Sequence, residues 1–348
     1  MTKLFSIQEV AKILGITTNK IRFYEKKGLI YPTRGKENAY RYFSEEDIIR
    51  LQTILLYREL GLGVSQIEIL LKDATKANYL EHFYNQWQVV NNQIQELSQM
   101  RVALEHIMDK MYLVAEDEYT KEIVEEIQEN VEKMKLKNSW KDKWNFNNWA
   151  RSYDEDVKLD YGTLNIYAHY DELLEAVVKQ AQEHISDNAQ VLDIGVGTGN
   201  LANRFYNLGY EIIGVDQSRA MLDVAKSKNR GLKVRLGEFM KLPFENKCFD
   251  VIVSTYAFHH LTEAEKQLAI EEMMRVLKDD GVIVLGDLMF ENEKGKREVY
   301  EMLSDEEKVM VEDEYYTDIE KLEGYVKVYH KEIRKIQIDR LCWITAIR

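Results

Sequence analysis

The chain has 348 residues, 45% of them hydrophobic, with only two prolines and a formal net charge of −13. That length fits two domains, the scarcity of proline fits long helices, and the charge argues against a general nucleic-acid coat. Cys248 and Cys342 form no CxxC or cluster, no signal-peptide pattern opens the chain and no apolar run nears the ~20 residues of a membrane span, so no metal is expected, and two buried thiols in a soluble cytoplasmic protein are.

Charge is uneven along the chain. Residues 1–76 carry 13 Lys+Arg against 9 Asp+Glu, a net of +4; the remainder carries 34 against 51, a net of −17. A basic head on an acidic body is the asymmetry of a DNA-binding module joined to something else.

In chain order, SIQE at 6–9 is a capping box opening a short helix that stops at Gly15. Thr17 or Thr18 caps a second helix, about 19–27, ending at Gly28. Two helices across a tight turn predict a helix-turn-helix. Leu29–Pro32 and Tyr40–Phe43, flanking the polar loop RGKENA, predict a two-stranded wing. Ser44 caps a third helix running to Gly61, and Ser65 a fourth near 66–72. Leu80, Phe83, Trp87, Val90, Ile94, Leu97, Leu104, Met108 and Met111 follow steps of three and four, broken only at Arg101. So long a seam predicts helix pairing between chains, with packing on its own domain as the alternative. Residues 115–139 are charged and helix-prone, a connector helix. From about Lys141, strands alternate with helices, the α/β pattern: 191–194, 211–215, 251–254 and 282–285 read as strands, and the end as a hairpin. The expected division is 1–76 DNA-binding head, 77–113 coiled-coil dimerisation helix, 114–140 connector and 141–348 α/β domain.

Within the first 41 residues nine Lys/Arg face three glutamates, and seven of the nine sit on or just after the second helix and on the wing. Those are the elements a winged helix presents to DNA. The run TTNKIRFYEKKGLI, followed by NAYRYFSEEDIIRLQTILLYRELGLGVSQI, resembles the DNA-binding domain of the MerR family of bacterial regulators over residues 4–72, and the seam at 80–111 resembles that family's antiparallel dimerisation helix. The resemblance implies a homodimer on double-stranded promoter DNA, acting on RNA polymerase indirectly. It assigns DNA contacts to Thr18, Lys20, Arg22, Tyr24, Arg34, Tyr40 and Arg41. Ala39 stands where that family usually has glycine, and the wing loop is one residue longer.

In the body, VLDIGVGTGN carries a GxGxG rhythm preceded by Asp193. A carboxylate beside the loop is poor for a pyrophosphate and suits a ligand with a cationic amino-acid end. Asp216 ends the next strand, where an acid binds ribose hydroxyls. Glu238 and Phe239 follow, an acceptor for an adenine amine and a ring to stack on it. Ammonium, ribose and adenine without phosphate describe S-adenosylmethionine. The ordered set, ending in FDVIVSTYAFHHL, resembles class I methyltransferases from about Asn145 to Arg348, among them small bacterial enzymes of the YrrT type that share FNNWARSYDE, VSTYAFHHLT and EYYT.

That resemblance implies a Rossmann-like, seven-stranded, mostly parallel sheet with an antiparallel last strand. It implies a cofactor site made of Asp193, Gly195, Gly197, Gly199, Asp216, Gln217, Met221, Glu238, Phe239 and Ser254 or Thr255. His259 and His260 follow the fourth strand, and one is a candidate base; the alternative is that they only shape the pocket. Tyr153 and Asp154 are candidate lid residues, and Tyr153 is also a candidate catalytic one. Tyr161, Tyr170, Tyr315 and Tyr316 are candidate substrate contacts. The acidic body favours a small-molecule acceptor over nucleic acid. Three readings stay open: a regulator fused to an active methyltransferase, a non-catalytic regulator sensing S-adenosylmethionine or S-adenosylhomocysteine, and an enzyme whose head mainly dimerises.

Overall fold

The computed structural model describes residues 3–35, 40–59, 61–72, 79–113, 119–139, 142–159, 163–186 and 188–348. The chain divides into two compact units, residues 1–94 and 95–348.

In the first unit the caps form as their chemistry requires. Ser6 Oγ accepts from the Glu9 N–H while the Glu9 carboxylate accepts from the Ser6 N–H, opening helix Ile7–Leu14. Gly15 closes that helix in the left-handed region at φ 65°, where a Cβ would be strained. Thr17 caps helix Thr18–Lys26. The wing differs from expectation. Strand β1 (Phe5–Ser6) pairs with β3 (Arg41–Phe43), and β3 pairs with β2 (Thr33–Arg34). Leu29–Pro32 is not a strand, because Leu29 and Ile30 are taken into the core with Val10, Ile21, Phe43 and Leu51. Helices Glu45–Glu59 and Val64–Lys72 complete the head, the second starting ahead of Ser65. The seam lies on one helix, Tyr79–Leu113. Ile94, Leu97, Leu104, Met108 and Met111 are all exposed along it, an apolar stripe that costs free energy in water.

In the second unit, helix Tyr119–Ser139 packs on helix Glu263–Val276, with Lys133 Nζ 3.3 Å from Glu271. The strands are β4 (Gln190–Ile194), β5 (Glu211–Asp216), β6 (Lys233–Leu236), β7 (Phe249–Thr255), β8 (Leu277–Phe290), β9 (Thr317–Asp318), β10 (Ile333–Gln337) and β11 (Cys342–Ile347). The main sheet runs β10-β11-β8-β7-β4-β5-β6, with the two-residue β9 alongside β8. The ladders from β6 to β8 are parallel; β11 is antiparallel to both its neighbours. This is the seven-stranded class I arrangement with one reversed strand. β8 is far longer than the four residues its sequence pattern suggested, and its last ten residues are buried. Cys342 is buried in β11, but Cys248 is only half-buried, its thiol donating to the Glu245 carbonyl in the turn before β7. No described helix is long and apolar enough to cross a membrane.

The strand order reverses at β4, which has β5 on one side and β7 on the other. Crevices at the carboxyl ends of such strands are where open α/β sheets bind ligands.

Candidate active site and nucleic-acid interface

The chain leaving β4 turns through Gly195, Gly197 and Gly199, all at positive φ. Gly195 is tied to β5 by its N–H to the Val215 carbonyl at 2.8 Å. A Cβ on it would lie 2.5 Å from the Ala257 Cβ, so only glycine fits. Gly197 donates its N–H to Asp216 Oδ2 at 2.9 Å, and the Ser218 N–H donates to Oδ1 at 2.8 Å. These bonds fix the Asp216 carboxylate at the end of β5. Burial pushes its pKa up to about 6, against the pull of the two amides.

Asp193 lies beneath the same loop, 1% exposed, and neither carboxylate oxygen has a hydrogen-bond partner. Burial first, then the Asp216 charge, pushes its pKa up to about 8; the Ala202 N–H lies near enough to pull weakly the other way without closing a hydrogen bond. A buried carboxylate left unpaired is costly unless something cationic compensates it. The buried Gln217 Oε1 is likewise unpaired.

Above the loop is a cavity with about 700 Å³ of free space, part of it open to solvent. Its walls include Gly195, Gly197, Asp216, Gln217, Met221, Glu238, Phe239 and Thr255, together with Tyr153 and His260. The structure therefore brings most of the expected cofactor residues around one space. Three of the set stand apart. Asp193 lies under the loop. Gly199 caps helix Asn200–Asn207, where a Cβ would press on Ala225 and Leu232. Ser254 is buried in β7 with its hydroxyl unpaired. Glu238 is raised by burial and answered by Lys241, 3.7 Å away. The space, the acid at its ribose-like position and the unpaired buried carboxylate suit a ligand with a cationic end and hydroxyls.

A cap closes the cavity from the segment before the sheet. Asp142 accepts from the N–H groups of Trp144, Asn145 and Phe146 at 3.0, 2.8 and 3.0 Å, turning the chain so that Phe146 enters the wall. Asn147 Oδ1 accepts from the Ser218 hydroxyl and the Ala220 N–H. Asp154 accepts from the Thr198 hydroxyl at 2.6 Å and from Asn200 Nδ2 at 2.9 Å, and it pairs with Lys228. Burial raises the Asp154 pKa, but these three partners outweigh it and hold the carboxyl low. Tyr153 is half-buried beside Tyr170, whose hydroxyl accepts from Asn200.

Tyr256 follows β7 at φ 48°, a conformation that strains any residue with a Cβ. It is held there by its N–H to the Gly286 carbonyl and its hydroxyl to the Ile166 carbonyl. Its ring stacks on Tyr170 at 5.4 Å.

The two histidines differ. His259 is buried behind the wall, Nδ1 2.5 Å from Asp287 Oδ1. Burial pushes its ring toward neutrality, but Asp287 outweighs that and its pKa is raised. Asp287 also accepts the N–H groups of Phe258 and His259. His260 lines the cavity under Trp144, ring centroids 4.4 Å apart, with Nδ1 3.0 Å from Glu314. Burial, then His259, lowers its pKa. Tyr315 and Tyr316 line a neighbouring cavity of about 630 Å³ with Lys266 and Glu314. Tyr161 lies outside the described residues. Sequence reading missed Asp142, Phe146, Asn147, Lys228, Tyr256, Asp287 and Glu314. Only the Asp142 cap had a local signal, a side chain two to four residues before the amides it binds.

On the head, Lys20 and Arg22 are exposed on helix Thr18–Lys26, and Thr18 is its first residue, half-buried. Tyr40 is 69% exposed just before β3. Arg34 and Arg41 both pair with Glu25, at 3.0 and 2.6 Å, so the wing is tied to the second helix. Tyr24 corrects the expectation. It is only 2% exposed and belongs to the core beside Ile21 and Leu29, so it is a packing residue rather than a free phosphate contact. The wing tip, with Lys36 and Ala39, lies outside the described residues.

Residues 5–74 match the family model of the MerR HTH family regulatory protein, and residues 192–285 match that of the methyltransferase domain. An uncharacterized methyltransferase of Oceanobacillus iheyensis is 36% identical over 208 residues, covering 58% of this chain and 95% of the relative. One of Anoxybacillus flavithermus is also 36% identical over 208 residues, covering 57% and 93%. Among solved structures, the magnesium protoporphyrin IX methyltransferase of Synechocystis PCC 6803, with S-adenosylhomocysteine bound, is 15% identical with a TM-score of 0.47, covering 59% of this chain and 99% of that one.

Proposed function

The chain belongs to the family of these methyltransferases and carries a MerR-family helix-turn-helix at its head; from that premise we propose a cytoplasmic, DNA-binding regulator that is also an S-adenosylmethionine-dependent methyltransferase of a small molecule, its cofactor state coupled to promoter binding. The observation that carries this reading is the unpaired, buried Asp193 carboxylate beneath a loop where Gly195 has no room for a side chain.

When bound, S-adenosylmethionine supplies an electrophilic methyl group on a sulfonium, so the donor needs alignment rather than activation. Asp193 compensates the cationic amino-acid end through the loop. Asp216 accepts from the ribose hydroxyls, with Gln217 beside it. Met221 covers the adenine, and Glu238 and Phe239 meet its far edge. Tyr153 and Phe146 close the site against water, and His260 is the polar group that meets the acceptor. The four-part division of the chain is part of the same reading. In the head, Lys20 approaches base edges while Arg22, Arg34, Tyr40 and Arg41 hold phosphates. The exposed stripe of helix Tyr79–Leu113 is covered by a second copy of the chain. Coupling passes along the connector, which packs on helix Glu263–Val276 and leads into the cap at Asp142.

The test pairs two measurements on the full-length dimer. S-adenosylmethionine labelled in the methyl group is incubated with deproteinised cell extract, and the cofactor's dissociation constant is measured with and without operator DNA. A labelled small molecule and an affinity that changes on DNA are expected, since linkage is reciprocal. Equal affinity in both states removes the coupling. Tight cofactor binding without transfer to any acceptor turns the reading to a sensor.

A further inference from the structure

His259, His260 and Glu314 each present one ligating atom, and these atoms lie within 4.8 Å of one another. Two come from the turn Phe258–His260 and the third from a segment 54 residues on. We propose that the three bind a first-row divalent cation, with Zn²⁺ the best match, in the wall between the two cavities. Its role in activating the methyl acceptor rests on the function proposed above; the binding site itself does not.

Several features point the same way. Two imidazoles and a carboxylate are the donor set of catalytic sites that keep a coordination position open. Asp287 holds His259 through Nδ1, which leaves Nε2 as the free nitrogen. A carboxylate on the far nitrogen is how ligating histidines are oriented and made more basic. His260 Nδ1 and Glu314 Oε2 are 3.0 Å apart, somewhat closer than the ~3.5 Å between neighbouring ligands of a tetrahedral ion with bonds of ~2.1 Å. The widest separation, 4.8 Å, exceeds the ~3.5 Å of a tetrahedral site with such bonds. Closing that gap takes side-chain movement on binding, for which the only partly buried Glu314 has room. The charges also favour a cation. Asp287 faces the cluster and Glu314 belongs to it, opposed by Lys266, whose amine is engaged by the Leu261 and Tyr315 carbonyls.

The location gives the ion a use. His260 lines the cofactor cavity and Glu314 the neighbouring one, so an open position between them meets an acceptor entering by the second cavity. A hydroxyl or thiol bound there loses its proton to solvent more readily. The resulting oxygen or sulfur forms a bond to the methyl carbon as the carbon–sulfonium bond breaks. The products are the methylated acceptor, S-adenosylhomocysteine and the released proton.

The experiment is a titration of tag-free, metal-stripped full-length protein with Co²⁺, read by visible absorption and by bound metal after dialysis. We expect one cobalt per chain at micromolar concentration, with visible bands, and at least a tenfold loss of affinity in both Glu314→Gln and His260→Gln. If His260→Gln fails to melt cooperatively, Glu314→Gln decides alone, since its side chain reaches solvent. No cobalt bound at micromolar concentration, or an affinity that the folded variants leave within twofold, overturns the site. S-adenosylmethionine binding is measured on the same metal-free protein. Cofactor bound without cobalt removes this inference only; cobalt bound without cofactor removes the methyl-transfer reading and leaves the metal site standing.

Discussion

The Asp216 carboxylate reaches back across two strand ends to accept the Gly197 N–H at 2.9 Å. One acid thus shapes the glycine loop and offers its remaining lone pairs to a ligand. Charged hydrogen bonds of this kind contribute ~1.5–3 kcal/mol each. Asp216→Ala is expected to weaken S-adenosylmethionine binding by one to two orders of magnitude while leaving operator binding within twofold. Calorimetry and a gel-shift titration on the same preparation check both halves.

Gly195→Ala tests the loop's steric limit. At φ 73° a Cβ is strained, and it would overlap the Ala257 Cβ. Strain alone is worth ~1–2 kcal/mol, so a lower urea midpoint is expected together with a larger loss of cofactor affinity. An affinity unchanged from wild type would mean that the loop backbone does not approach the ligand.

The Asp193 pKa of about 8 makes cofactor binding pH-dependent. A cationic ligand end favours the ionised form, so binding lowers this pKa and releases a proton. Affinity should rise between pH 6 and pH 8, and the calorimetric heat at pH 7 should vary with buffer ionisation enthalpy. Without ligand, the linkage runs the other way. The folded pKa lies above the ordinary carboxylate value of 3.8, so this group's contribution to stability is present in acid and lost as pH rises through about 8. Asp193→Asn should abolish the proton release; release persisting in that variant would assign it elsewhere.

Glu25 holds Arg34 and Arg41 together. Glu25→Ala adds net positive charge but frees the wing from the second helix. Non-specific DNA affinity should rise and operator preference fall, measured as the ratio of the two constants at one salt concentration. A preserved ratio would show that the wing takes no part in discrimination.

Leu97 is 60% exposed in the middle of the long helix. Leu97→Glu puts a charge into the stripe that the proposed homodimer would cover. Light scattering should report a monomer, with cofactor binding retained. A dimer of unchanged stability would place the interface elsewhere.

The local parts of this fold were legible because their causes are local. The Ser6–Glu9 box, the stop at Gly15 and the loop after β4 each state their geometry within a few residues. Leu29–Pro32 misled because a short continuous apolar run next to a turn reads as a strand edge, whereas Leu29 and Ile30 are claimed by the core. Tyr24 misled for the same reason: basic neighbours mark a surface, but its own face of the helix points inward. The cap on the cofactor cavity was only partly legible. Tyr153 was visible beside the motif, but Asn147 binding Ser218 and Asp154 binding Thr198 join residues 71 and 44 positions apart. Spacing in one sequence carries no signal for such pairs. The Asp287 and Glu314 partners of the histidines escaped for that reason too.

β11 sits between β8 and β10 although it is made after both. During synthesis β10 therefore leaves the ribosome with no strand beside it, and β8 keeps one long apolar edge open. The helix-turn-helix head, whose caps are local and whose widest ladder joins Phe5 to Phe43, has by then had the time of some 250 further residues in which to fold. A nascent chain stalled before residue 342 would consequently offer a finished DNA reader attached to an unfinished sheet, a species that chaperones or proteases must recognise by that open edge.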